Sequence, residues 1–137
     1  MDRTRPEEEE DATQLKLGQD FHEAQCLLNS EVAILLEHRQ QNAPEDSESE
    51  QSPVFLKTLA YVQRFSRYKN KTAVKQVRTL LTEKQLHEYE IAALSNLCPE
   101  TAEEALSLIP TLAKRFDSDD KELQLILDDL ASFRRFE

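Results

Sequence analysis

His22 and Cys26 stand four residues apart. On a helix that spacing turns an imidazole and a thiol to the same side, where they can share a metal ion. Two ligands do not complete a tetrahedral shell, and no second pair with ligand spacing occurs, so no metal site and no cofactor is expected. His38 and His87 fall among charged residues and read as surface groups. Aspartates and glutamates are plentiful, yet none is isolated as a pair in an apolar setting, as acid–base catalysis requires. The chain has one glycine, Gly18. Phosphate-binding loops, dinucleotide fingerprints and nucleophile elbows each need more than one, which removes those enzyme classes.

Binding chemistry is better represented. From Lys57 to Arg78 the chain carries Lys57, Arg64, Arg67, Lys69, Lys71, Lys75 and Arg78 with no acidic residue, and Tyr61, Phe65 and Tyr68 lie among them. Cations beside aromatic rings can hold a single strand of RNA by phosphate pairing and base stacking. The residues expected at such a contact are Arg64, Arg67, Lys69 and Lys71. The alternative is that these cations balance acidic segments elsewhere, with Phe65 in the core. The whole chain of 137 residues has a net charge of −10, which opposes tight, free nucleic-acid binding but leaves a local basic patch intact. Ser47, followed by Glu48 and Glu50, sits in an acidic setting that some kinases favour; the other reading is a solvating spacer.

The elements that must position these groups follow from periodicity. Residues 1–11, ending in an unbroken run of acids, read as a solvated tail. Ala12-Thr-Gln-Leu-Lys-Leu17 alternates like a short strand and stops at Gly18. A lone strand leaves its ladder groups unpaired, so this one either adds to the sheet edge of another protein or is an extended arm. Residues 12–42 hold this segment and a long helix, predicted from an Asp20 cap to about Gln41. Its run Val32-Ala-Ile-Leu-Leu36 is apolar all round, because successive residues turn by about 100°. Such a helix is either the centre of a core or a partner's docking surface. Residues 43–52 have the acidic, serine-rich composition of a linker. Residues 53–137 carry the remaining helices, with apolar stripes at Phe55–Phe65, Val74–Leu81, Leu86–Leu97 and Leu123–Leu130. The expected class is all-α with an N-terminal arm. Two unpaired cysteines, with neither a leader peptide nor a membrane span in view, lead to the expectation of a soluble, intracellular protein.

The most specific wording is Asn96-Leu-Cys-Pro-Glu-Thr-Ala-Glu-Glu-Ala-Leu-Ser-Leu-Ile-Pro-Thr-Leu112. Pro99 closes one helix, Thr101 caps the next with Glu104 at the box position, and Pro110 stops it after about two turns. A helix this short has to be held by its neighbours through Ala102, Leu106, Ile109 and Leu112.

This corner closely resembles the C-terminal signature of the fourth subunits of eukaryotic RNA polymerase II, the helical half of the polymerase stalk. Glu10-Asp-Ala-Thr-Gln-Leu15, Leu27-Leu-Asn-Ser-Glu-Val32 with Leu35-Leu-Glu-His38, Phe55-Leu-Lys-Thr-Leu59, Arg64-Phe-Ser-Arg67 and Leu125-Ile-Leu-Asp-Asp129 extend the resemblance in the family's order from residue 10 onward. It implies an HRDC-like helical bundle and a non-catalytic subunit. Its implied partner is the seventh polymerase II subunit, an OB-fold protein that joins the core polymerase beside the RNA exit channel. It also implies a nuclear protein with cytoplasmic shuttling, roles in initiation and messenger RNA export and decay, and contact with nascent RNA mainly through the partner; no membrane is involved. Carried onto this chain, Thr13, Gln14, Leu15 and Leu17 would pair with the partner's sheet. Asn29, Ser30, Glu31, Val32, Leu35 and Leu36 would pack on it. The alternative is a free-standing helical adaptor of an RNA-processing complex, which would be a stable monomer where a stalk subunit needs its partner.

Overall fold

The computed structural model describes residues 9–44, 52–116 and 120–135. Residues 1–8 of the expected tail at 1–11, most of the linker including Ser47, and residues 117–119 lie outside those residues. Among the described residues six helices follow one another: α1 (Asn29–Asn42), α2 (Pro53–Phe65), α3 (Lys71–Glu83), α4 (Glu88–Leu97), α5 (Ala102–Leu108) and α6 (Asp120–Arg135). Short 3-10 turns lie at Ala12–Gln14 and Pro110–Lys114. The class is all-α, as the periodicity predicts.

The starts of α2 to α5 each have a local cause. Ser52 accepts the Phe55 N–H at 3.1 Å ahead of Pro53, whose missing N–H is harmless in the first turn. Asn70 accepts the Thr72 N–H at 2.7 Å. The His87 Nδ1 accepts the Tyr89 N–H at 3.0 Å, while Glu90 accepts the His87 N–H at 2.8 Å. At the corner, Thr101 accepts the Glu104 N–H at 3.1 Å. The Glu104 carboxylate reaches the Glu100 N–H, one residue earlier than a standard box. Cys98 ends α4 in the left-handed region (φ 49°), and Pro110 confines α5 to seven residues.

One core runs through α3 to α6. Val77, Leu81, Leu94, Ala105, Ile109, Leu112 and Leu123 have no exposed surface, and Leu28 and Tyr68 join them from outside those helices. Ala102, Ile109 and Leu112 are buried as expected; Leu106 is half-buried, and Ala105 takes the deeper place. The corner is also pinned by charge. Glu90, wholly buried on α4, accepts the Thr111 hydroxyl at 2.7 Å and the Arg115 Nε at 2.7 Å. A buried carboxylate is tolerated only when its oxygens are satisfied in this way. α1 and α2 run antiparallel against each other around Ala33, Leu59 and Val62, with Ser30 opposite Ser66 and Glu37 opposite Gln63.

Two expectations change. The long helix starts at Asn29, not Asp20, because residues 24–28 run without helical hydrogen bonds, the Cys26 N–H going to Glu88 and the Leu28 N–H to Glu31. The strand at 12–17 is not present either. The Asp11 carboxylate accepts both the N–H and the hydroxyl of Thr13, winding residues 12–14 into a turn. Asp11 and Lys16 then close it with paired backbone bonds of 2.8 and 2.9 Å. With no second strand beside it, the segment satisfies its backbone locally. Among the described residues no strand forms.

Candidate partner-binding surface

The N-terminal arm is held to the bundle by Arg78 on α3. Its guanidinium donates to the Cys26 carbonyl at 2.8 Å, to both oxygens of Glu31 at 2.5 and 3.2 Å, and to Glu88 at 3.1 Å. Glu88 in turn accepts the Cys26 N–H at 3.1 Å, and Glu31 accepts the Leu28 N–H at 2.8 Å. Hydrogen bonding to Glu31 first, then the charges of Glu31 and Glu88, holds the Arg78 proton more tightly than usual, against the opposing effect of burial. A planar fork with several donors suits this role, where a lysine would supply a single point charge. Burial above all, and then the Glu88 charge, pushes the Cys26 thiol up from its ordinary range, with Arg78 partly offsetting it. The thiol therefore stays protonated. His22 and Cys26 lie in non-helical chain, so the helical spacing that would have aligned them does not apply. Among the described residues no group of three or more histidines, cysteines or acids could hold a metal ion.

The residues expected at a partner surface separate into two sets. Ser30 is buried: its hydroxyl accepts the Tyr68 N–H at 3.1 Å and the Ser66 hydroxyl at 2.9 Å. Glu31 is committed to Arg78, and the Asn29 N–H donates to the Asn96 side chain at 3.0 Å. These three tie α1 to its own bundle. Leu35 is 57% exposed, and Val32 and Leu36 are half-buried beside it. Leu35 lies about 200° around α1 from Ala33, which faces α2. Leu27 and Phe21 are exposed in the preceding arm. In the turn, Thr13 and Gln14 are exposed and Leu15 and Leu17 half-buried, with the Thr13 hydroxyl and N–H holding the Asp11 carboxyl below the usual range. Leu15 (φ 58°) and Gly18 (φ 91°) supply the left-handed positions that fold this arm back.

The basic segment also divides. All four cations, Arg64, Arg67, Lys69 and Lys71, are exposed, and two of them are also engaged within the chain: Arg67 donates to the Asn96 carbonyl at 3.3 Å and Lys69 to the Gln63 carbonyl at 3.1 Å. Tyr68 is buried, but Tyr61 and Phe65 are not. Phe65 was expected in the core; at about 120° from Leu59 around α2 it turns outward instead. The role of Arg78 had no local signal, since its partners lie 47 and 52 residues earlier and 10 residues later in the chain.

The RNA polymerase Rpb4 family model matches residues 26–134. The DNA-directed RNA polymerase II subunit rpb4 of Dictyostelium discoideum is 50% identical, with 95% of this chain and 92% of the relative aligned. Subunit 4 of the Arabidopsis thaliana enzyme is 49% identical over 96% of this chain and 98% of its own length. The Schizosaccharomyces pombe subunit rpb4 is 41% identical over 94% and 95%.

Proposed function

We propose that this chain, which belongs to the RNA polymerase Rpb4 family, works as the helical half of a two-subunit stalk on RNA polymerase II. It is a non-catalytic subunit, and the nucleus is its place of action. Its partner in this reading is the seventh polymerase subunit, an OB-fold protein that carries it onto the core enzyme. The carrying observation is the side of α1 that this chain leaves uncovered. Leu35 is 57% exposed between half-buried Val32 and Leu36, on a helix whose opposite side is fully used. Leu27 and Phe21 extend apolar surface into the arm. In this reading the turn at 12–17, folded on itself in the single chain, meets the partner either as it stands or re-extended along a sheet edge. Initiation, handling of nascent RNA through the pair, and the coupling of transcription to messenger RNA export and decay follow from that placement, as does passage of the pair to the cytoplasm. Arg64, Arg67, Lys69 and Lys71 are this chain's own RNA contacts.

Co-expression with the OB-fold subunit tests the assignment. The two chains should co-elute one to one. The combined Val32→Asp, Leu35→Asp and Leu36→Asp variant should weaken the pair by about a thousand-fold, from burial worth about 1.5 kcal/mol or more per side chain. A triple variant that keeps its helical circular dichroism and still co-elutes one to one would falsify the interface.

A further inference from the structure

We propose that the outward side of α2 is a stacking platform for single-stranded nucleic acid, with Tyr61 and Phe65 as the base-binding rings. The proposal rests on the reading that this chain touches RNA, and moves the contact from a set of cations to a specific helix face. Tyr61 is 56% exposed and Phe65 43%. Their ring centroids lie 4.8 Å apart with planes inclined at 47°, and the Arg64 guanidinium sits 5.4 Å from the Phe65 centroid. The helix packs through buried Leu59 and Val62, and neither ring is among its buried residues. Lys57 lies one turn before Tyr61 on the same side, so a cation stands at each end of the ring pair. Lys71 is exposed at the start of the next helix. From 57 to 78 no acid interrupts the sequence. The Glu37 carboxylate, which reaches α2 from α1, is bound to Gln63 on a different side of the helix. Exposed rings, each offering a face to any base, beside cations that pair with the linking phosphates, are what sequence-tolerant binding of an unpaired strand requires. A duplex has no free base to stack, so it gains only the charge contribution.

The test uses the full chain in complex with its OB-fold partner. The probes are labelled oligouridylate and oligothymidylate of about twelve nucleotides and an RNA duplex of similar length. The combined Tyr61→Ala and Phe65→Ala variant keeps every charge and should weaken both single strands by at least about five-fold per ring, leaving duplex affinity unchanged. The combined Lys57→Gln and Arg64→Gln variant should weaken all three probes and flatten their salt dependence. Ultraviolet crosslinking of the unsubstituted complex to oligouridylate should label the peptide holding Tyr61 and Phe65. If ring removal leaves single-strand affinity intact while loss of Lys57 and Arg64 lowers it, the platform is overturned and the cation contact survives. If ring removal instead releases a protein subunit, the face is a protein interface. If no substitution among these residues alters binding, both the platform and this chain's RNA contact fall, without affecting the α1 interface.

Discussion

The bundle from α3 to α6 and the segment from Glu9 to Asn42 are built by opposite rules. In the bundle, each apolar stripe buries most of its length, although Leu97, Leu108 and Leu125 stay in solvent, and even the buried charge of Glu90 is answered by Thr111 and Arg115. In the N-terminal segment, apolar side chains are spread around more than one side of the chain. Leu28 is fully buried while Leu27 and Leu35 remain in solvent. The attachment there is polar through Arg78, Ser30 and Asn96, and apolar through Leu28 and Ala33. A region that is finished tolerates truncation of its core poorly; a region kept open for another chain tolerates truncation of its exposed apolar residues until that chain is present. In the proposed assembly, the difference separates residues that fold this protein from residues left to a partner.

Removing a side chain from the finished region should have the largest effect. Leu123→Ala in α6, at a position with no exposed surface, should lower the unfolding free energy of the chain by about 3 kcal/mol, measured by urea denaturation. Glu90→Gln keeps the shape but removes the charge facing Arg115, and should lower it by about 2 kcal/mol in the same assay. Arg78→Met acts at the junction between the regions. With Glu31 and Glu88 partly in solvent, the loss should be about 1 kcal/mol after screening. Its sharper readout is hydrogen exchange, with the Cys26 and Leu28 amides speeding up while α4 to α6 stay protected. Smallest of all, Leu35→Ala should change the stability of the isolated chain by less than about 0.5 kcal/mol. The comparison breaks if Leu35→Ala destabilises the single chain as much as Leu123→Ala does.

The helical bundle was legible because its signals are local. Pro53, Asn70, Thr101 and Pro110 act within a turn of themselves, and the stripes from Val74 to Leu130 repeat at one period. The short α5 between two prolines was readable for the same reason. The N-terminal segment was less so. The alternation of residues 12–17 suits a strand only when a second strand is present, and alone the Asp11–Thr13 contact decides the local shape. The start of α1 at Asn29 depends on Arg78, which is distant in sequence and carries no sign of its role. Ser30 and Glu31 looked free for a partner because their polar groups gave no hint of being engaged within the chain. Phe65 shows a further limit: an aromatic near the edge of an apolar stripe can face either way, and only the position of α1 settles it.

The central claim is that α1 and the arm before it present a surface completed by a second chain. Hydrogen–deuterium exchange of this protein, alone and bound to the OB-fold subunit, measures that claim most directly. Residues 12–17 and the stretch around Val32, Leu35 and Leu36 should become strongly protected on binding, while α4 to α6 exchange at unchanged rates. Protection confined to α4 to α6, with the first forty residues exchanging as before, would contradict it.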